Sequence, residues 1–377
     1  MTTLMKYLRS AFGAVALSLL AAVPAGAQGL DLTVNHIGLG IGDVPRVIGL
    51  RLNYRDRHLE RVDGVNATIW TPYGNGGNGV VNGVALGVPV TGAARIDGLA
   101  IGLLGVGARE RIRGIGIGAA GIGAETLQGL MVGGLGAGTG GDFTGIGVGG
   151  LGIGSGGSMR GIFVGGLGAG SGRDITGLVV GGLGAGASGN MKGIVVGGLG
   201  AGASGDATGL LVGGLGVGSG GSVRGILAGG LGVGASRNVQ GIAIGGLGVG
   251  AGENLTGLAI GGIGVGAGGT LHGVGIGGLG VGAQTVRGLA LAGFGAGGRD
   301  VRGALIAAGW NRLEHGTLRG VTVASFNQMK GSQRGLAIGI VNYAEELHGV
   351  QIGLINIARN NSSGTRVLPI VNVHRGN

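Results

Sequence analysis

Among the side chains of this sequence that could do chemistry, the cations show the clearest spacing. Arg160, Lys192 and Arg224 recur at equal intervals, and Thr176 and Thr208 fall midway between them. In a stack of equivalent segments, such residues form one exposed column that could bind a linear polyanion through its charge. The cations predicted for this column are Arg160, Lys192, Arg224, Arg287, Arg302, Arg319 and Arg334.

Two interpretations of this column stay open at the sequence level. In the first, it binds an acidic polysaccharide or anionic lipid headgroups, and no nucleic acid partner is expected. In the second, it is a solvated column whose threonine spacers reduce repulsion between like charges. The formal net charge of +10 at pH 7 fits either interpretation, since a soluble surface also needs net charge.

The other chemically capable residues do not form a site. No two of the six histidines have a metal-ligand spacing with a third ligand nearby. Asp142, Asp174 and Asp206 occupy every second repeat, so stacking would hold their carboxylates about 10 Å apart, too far to share a calcium ion. Turn formation accounts for them better. Gly-x-Gly-x-x-Gly recurs throughout, but a dinucleotide site needs one such loop leading into a helix. The sequence therefore predicts no catalytic, cofactor or metal site, and no enzyme.

A short repeat must position the cations. Its first glycine recurs about every 16 residues, and nine consecutive copies from 129 to 272 contain no insertion. A typical copy begins Gly177-Leu-Val-Val-Gly-Gly-Leu-Gly-Ala-Gly. A fixed short period indicates one structural unit stacked on copies of itself.

Composition restricts the fold class. Of the 377 residues, 104 are glycine, 5 are proline and 44% are hydrophobic. Disorder requires low hydrophobicity, collagen requires glycine at every third residue with abundant proline, and helices would lose about 1 kcal/mol at each interior glycine. The remaining prediction is an all-β, single repeat array: a β-solenoid of about twenty short coils of ~16 residues, with irregular capping ends. Coils about 4.8 Å apart predict a rod near 100 Å long.

Each coil is predicted to contain two short strands and two turns. In 193–197 the residues Ile194 and Val196 share one face, and the alternation changes at Gly197-Gly198, which predicts a corner. The glycine at the eighth position of the repeat is replaced by Asn342 and Asn356 in the last copies. This replacement predicts a left-handed backbone there, or asparagines stacked along the axis.

The sequence divides into five predicted segments. The N-terminus is typical of a secretory signal peptide. It contains Lys6 and Arg9, then an apolar run, and then a small-x-small ending before Gln28. No cysteine occurs, so neither disulfides nor a lipoprotein anchor is expected. The segments are a signal peptide (1–27), a lead-in (28–48), irregular N-terminal repeats or cap (49–97), the regular array (98–287), and irregular C-terminal repeats with a cap (288–377).

The last repeats resemble a known family. The stretches starting at Gly335 (GLAIGIVNYA) and Gly349 (GVQIGLINIA) are similar to the GLxxGLxN-type surface repeat of bacterial exported proteins, and the stretch starting at Val367 (VLPIVN) resembles their closing segment. The resemblance spans roughly 49–372 and implies a location in the periplasm, outer membrane or cell surface of a Gram-negative-type bacterium. It implies no activity, and the central copies lack the asparagine of the motif.

Two function classes follow. The first is an exported, non-catalytic structural or adhesive scaffold at the cell envelope. The alternative is an outer-membrane β-barrel, a pore or surface protein with one strand per repeat. The absence of aromatic girdles and the change of alternation within each repeat count against that alternative. The sequence leaves the oligomeric state open.

Overall fold

The computed structural model describes residues 29–72 and 78–374, and every regular element in them is a β-strand. The predicted signal peptide (1–27) lies outside the described residues, as do residues 73–77 of the predicted N-terminal cap. The chain divides into two units, Met1–Gly150 and Leu151–Asn377. The predicted segment limits after 48, 97 and 287 stay predictions.

The first unit contains eleven described strands. They are β1 (Gly29–Val34), β2 (Ile37–Gly42), β3 (Arg46–Asn53), β4 (Arg61–Thr68), β5 (Val80–Gly87), β6 (Val90–Gly102), β7 (Gly105–Gly118), β8 (Gly121–Ala124), β9 (Thr126–Gly133), β10 (Gly136–Thr139) and β11 (Phe143–Gly149).

The second unit begins with fourteen short strands that alternate between four and seven residues. They are β12 (Gly152–Ser155), β13 (Met159–Gly165), β14 (Gly168–Ser171), β15 (Ile175–Gly181), β16 (Gly184–Ala187), β17 (Met191–Gly197), β18 (Gly200–Ala203), β19 (Ala207–Gly213), β20 (Gly216–Ser219), β21 (Val223–Gly229), β22 (Gly232–Ala235), β23 (Val239–Gly245), β24 (Gly248–Ala251) and β25 (Leu255–Gly261).

Towards the C-terminus of the same unit, the short and long strands of most coils merge into one longer strand. The strands of this part are β26 (Gly264–Gly277), β27 (Gly280–Ala292), β28 (Gly295–Gly298), β29 (Asp300–Ala307), β30 (Trp310–Val323), β31 (Phe326–Ile338), β32 (Val341–Ala358) and β33 (Val367–His374). Of these, β28 and β29 remain separate.

Parallel, in-register pairing of equivalent residues builds both units. In the second unit Gly177 pairs with Gly193, and Gly193 with Gly209. In the first unit Gly98 pairs with Gly114, which pairs with Gly129. The predicted β-solenoid with a repeat of ~16 residues is confirmed, with about nineteen coils against the twenty expected. The pairing disfavours the barrel with one strand per repeat, because neighbouring barrel strands run antiparallel.

The first glycine of the repeat has the left-handed backbone. Its φ is +128° at Gly193 and +119° at Gly241, and an added Cβ at Gly193 would overlap the carbonyl oxygen of Gly177 in the preceding coil. The prediction of a left-handed position at the eighth residue was wrong. No asparagine of the last repeats has a positive φ.

The asparagines instead line the interior. Asn311 pairs with Ala296 of the ninth, inward position, and Asn327 and Asn342 continue that column. Asn327 Nδ2 donates to Asn342 Oδ1 at 2.8 Å, and Asn342 Nδ2 donates to Asn356 Oδ1 at 2.8 Å. The expected stacking of asparagines along the axis is thus present in the second unit, at the ninth position rather than the eighth.

Small and medium side chains fill most of the described coils, and Phe143 and Phe163 are the buried aromatic exceptions. In the coil of β17 and β18, the buried residues are Met191, Val195, Ala201 and Ala203. The corner at the glycine pair is tight, since a Cβ at Gly181 would overlap the carbonyl oxygen of Gly184 on the other side of the same corner. The two walls of a coil therefore approach closely.

Antiparallel strands lie at the two ends of the described part of the chain. Strand β1 pairs antiparallel with β2 in the first unit, and β33 pairs antiparallel with β32 in the second. Each pairing satisfies backbone groups that the terminal coil of a parallel stack leaves open.

Candidate functional site

All seven predicted cations lie in one column of the second unit, here called the basic column. Every one is exposed and points outward from the long strand of its coil. The pairing register from one coil to the next runs Arg160, Thr176, Lys192, Thr208, Arg224, Gln240, Thr256, His272, Arg287, Arg302, Arg319 and Arg334. The structure therefore joins residues that the sequence scatters over many repeats.

The last four cations occupy adjacent coils without a neutral spacer. Arg287 pairs with Arg302, Arg302 with Arg319, and Arg319 with Arg334. Equivalent backbone positions in neighbouring strands lie about 4.8 Å apart. Two unit charges at that distance repel by about 1 kcal/mol even in water. A polyanion placed along this stretch would relieve the repulsion.

No described carboxylate neutralises these four arginines within ion-pair distance. The arginines of the first unit differ, because Arg61 contacts Asp63 at 2.8 Å and Arg95 contacts Glu110 at 2.7 Å. These four arginines therefore lack the ion pairs that several arginines of the first unit make.

A cleft of about 150 Å³ opens beside the column, lined by Thr285, Arg287, Asp300, Arg302, Thr317 and Arg319. Its single carboxylate belongs to Asp300, which accepts the backbone N–H of Thr317 at 3.0 Å. That hydrogen bond joins neighbouring coils. The cleft therefore presents hydroxyl groups and guanidinium groups to a ligand.

The turn aspartates join coils rather than bind metal. Asn190 N–H donates to Asp174 Oδ1 at 2.7 Å, and Ser222 N–H donates to Asp206 Oδ1 at 2.8 Å. The bond from Ser222 lowers the pKa of Asp206 below its usual range, and the charges of Arg237 and Arg224 lower it further. The sequence predicted that these aspartates form their own turns. The structure shows instead that each of these two carboxylates accepts a hydrogen bond from the backbone of the turn in the next coil.

Three columns of large apolar residues lie outside, which sequence reasoning missed. In β17 the alternate residues Lys192, Ile194 and Val196 all point outward, and Leu199 follows at the corner. Across nine consecutive coils of the second unit the corner residue is 48% to 60% exposed; these are Leu151, Leu167, Leu183, Leu199, Leu215, Leu231, Leu247, Ile263 and Leu279. We call the three outward columns equivalent to Ile194, Val196 and Leu199 the apolar face. The basic column borders it, since Lys192 is about 7 Å along the strand from Ile194.

The first unit contains a buried polar cluster that the sequence did not indicate. The guanidinium group of Arg51 is fully buried, contacts Asp56, and donates to Asp43 at 3.0 Å and to Asn66 at 2.9 Å. Asp56 also accepts from Thr68 at 2.9 Å. These paired groups hold β3 and β4 together, and they leave the guanidinium group no free face for a ligand.

Asp43 lies at the edge of this cluster. Burial by itself would raise the pKa of Asp43. Hydrogen bonds from the N–H groups of Arg57 and His58, the His58 ring at 2.7 Å, and the charge of Arg51 together bring that pKa below its usual range. The carboxylate therefore stays ionised as a partner of Arg51.

Histidines form two contacts of note. His58 contacts Asp43, and the rings of His348 and His374 meet edge to face with their centroids 5.7 Å apart. Within 29–72 and 78–374, no three His, Cys, Asp or Glu side chains are grouped so that they could hold a metal ion.

The chain matches no family model, and neither a curated protein nor a solved structure shows significant similarity to it. In the described residues, no helix has the length and apolar character needed to cross a bilayer.

Proposed function

We propose that this chain is an exported, non-catalytic scaffold at the envelope of a Gram-negative-type bacterium, where it serves a structural or adhesive role. The observation that carries the proposal is the run of four adjacent arginines without a carboxylate partner, held in register by the solenoid. A repeating backbone ladder holds such a column in register from coil to coil, so it fits a polymer whose charges also repeat. The anionic groups it would bind are those of an acidic polysaccharide or of lipid headgroups.

Two sequence features support the location. Residues 1–27 have the layout of a secretory signal peptide, and the last repeats resemble the surface repeats of exported bacterial proteins. Mass spectrometry of the secreted chain should give a mature protein that begins at Gln28. Retention of an intact N-terminus in the cytoplasm would contradict export.

Binding to an acidic polysaccharide tests the column itself. We expect the affinity of the full chain for heparin, used as a model polyanion, to fall steeply with salt, because each ionic contact releases counterions. Replacing four arginines with Gln should make the negative slope of log affinity against log salt less steep by about three. These are Arg287, Arg302, Arg319 and Arg334.

A matched control removes the same charge elsewhere. The control replaces four exposed cations of the first unit with Gln, namely Arg46, Arg61, Arg95 and Arg109. This variant should keep a salt slope close to that of the wild type. Equal slopes for both variants would show that only total charge matters. The column would then be a solubility feature.

A further inference from the structure

The apolar face of the second unit is too large to be ordinary solvent-exposed surface. Monomeric soluble proteins rarely expose a continuous apolar patch beyond several hundred Å². Here nine successive corner residues are each about half exposed, and outward Ile, Leu and Val columns run beside them. Such a face indicates a partner.

We infer that this face lies on an anionic lipid surface, with the basic column at the level of the headgroups. Apolar side chains on one side and bordering Lys and Arg are the combination by which interfacial elements bind anionic membranes. Arginine can keep its charged end among phosphates while its stem packs along apolar surface. The electrostatic part of this inference rests on the proposed function, in which the basic column binds anionic groups. The contact between the apolar face and the lipid does not depend on that function.

The coils rich in arginine also contain exposed aromatic residues. After Arg287, Arg302 and Arg319, the same coils reach the corner at Phe294, Trp310 and Phe326 respectively. These rings are 63%, 39% and 37% exposed, and those of Trp310 and Phe326 meet edge to face at 6.0 Å. Each coil therefore presents a cation, aliphatic side chains and an aromatic ring in order. Aromatic rings of this kind concentrate at membrane–water interfaces.

Charge argues for lipid over a second copy of the chain. The described acidic residues of the second unit lie at or beside the polar turns of the regular coils, or at the matching positions of the longer strands. They are Asp174, Asp206, Glu253, Asp300, Glu314, Glu345 and Glu346. None lies along the corner edge of the apolar face. The second unit of another copy, laid with the same apolar face against this one, would therefore bring no carboxylate from that face to the basic column, whereas phosphate headgroups would supply anions.

Vesicle binding tests the inference with the full mature chain. We expect it to float with vesicles of phosphatidylcholine and phosphatidylglycerol, and to bind pure phosphatidylcholine far less. In a Trp70→Phe background, the emission of Trp310 should shift to the blue on binding. Replacing Arg287, Arg302, Arg319 and Arg334 with Gln should weaken binding by at least ~100-fold, since each cation near an anionic surface contributes about five-fold.

A second variant separates this inference from the proposed function. Changing Leu183, Leu199, Leu215 and Leu231 to Ser alters only half-exposed corners, so the fold should persist by circular dichroism. This variant should lose at least ~10-fold in vesicle affinity, because interfacial binding scales with buried apolar area, yet bind heparin as the wild type does.

Two results would overturn the inference. One is a leucine variant that binds anionic vesicles as tightly as the wild type. The other is a lipid-free wild type that forms dimers which the leucine variant loses, because a second copy would then cover the face. Normal heparin binding in either case would leave the polyanion role of the column standing.

Discussion

At the residue scale, glycines that look alike in the sequence have different physical reasons. Gly241 has a φ of +119°, and an added Cβ would overlap the carbonyl oxygen of Gly225. An added Cβ at Gly234, on the outside of β22, would meet nothing within 4 Å. Stacking of the coils therefore requires glycine at Gly241, whereas no contact within the chain requires glycine at Gly234.

We therefore expect Gly241→Ala to destabilise the protein by at least about 1–2 kcal/mol, the penalty of a left-handed backbone for a residue with a Cβ. Gly234→Ala should be neutral or should stabilise by about 0.4–1 kcal/mol, because it restricts the unfolded chain. Urea unfolding midpoints of the two variants measure the contrast. Equal midpoints would show that the backbone at Gly241 relaxes freely.

The sequence identified the recurrent first glycine but not its conformation. Counting from that glycine places Asn342 at the eighth position, because the corner of its coil is one residue shorter than in regular coils. Pairing places Asn342 opposite Asn327 instead, in the buried ninth column. A backbone register of this kind depends on contacts between coils, which a single repeat does not reveal.

At the element scale, the buried asparagine column links the last coils of the second unit. Asn342 Nδ2 donates to Asn356 Oδ1 at 2.8 Å and to the carbonyl of Ile352 at 3.0 Å, while its Oδ1 accepts from Asn327. Buried amides are stabilising only when their partners are present, so removal of one member leaves its neighbours unsatisfied.

Asn342→Ala should therefore lower the free energy of unfolding by about 1–3 kcal/mol. Gln328→Ala removes an outward amide from the neighbouring strand β31 and should change stability by less than about 0.5 kcal/mol. Thermal unfolding followed by circular dichroism compares the two. A similar melting temperature for both would mean that water replaces the lost amide inside the coil.

Strand content was predictable from the sequence, but the direction of each face was not. Period-two alternation puts Ile194 and Val196 together and Met191 and Val195 together, and both pairs are apolar. The close approach of the two strands of a coil decides that Ile194 and Val196 point outward, and the sequence pattern alone does not show it. The seven cations were predictable because their charge and their recurrence in the repeat together indicate one exposed column. The buried Arg51 cluster has no regular spacing to reveal it.

At the scale of the whole molecule, a stack of equivalent coils must prevent its own continuation. Equivalent coils bind one another through the same face, so an uncovered end can accept the start of another copy and grow into a filament. In the second unit, β33 covers the last parallel strand: Val373 pairs with Val350, and Val371 with Ile352. The antiparallel direction of β33 breaks the pattern that another coil would extend.

A chain that ends at Arg366 lacks β33 and exposes the backbone groups of β32. We expect it to keep its strand signal by circular dichroism, because the remaining coils still contact their neighbours. It should associate with itself, because an uncovered strand edge is a template for pairing. Light scattering should show a mass that grows with concentration. A chain ending at His374 keeps β33 and should hold the mass of the wild type. If the shorter chain also holds that mass, the protection against growth does not reside in β33.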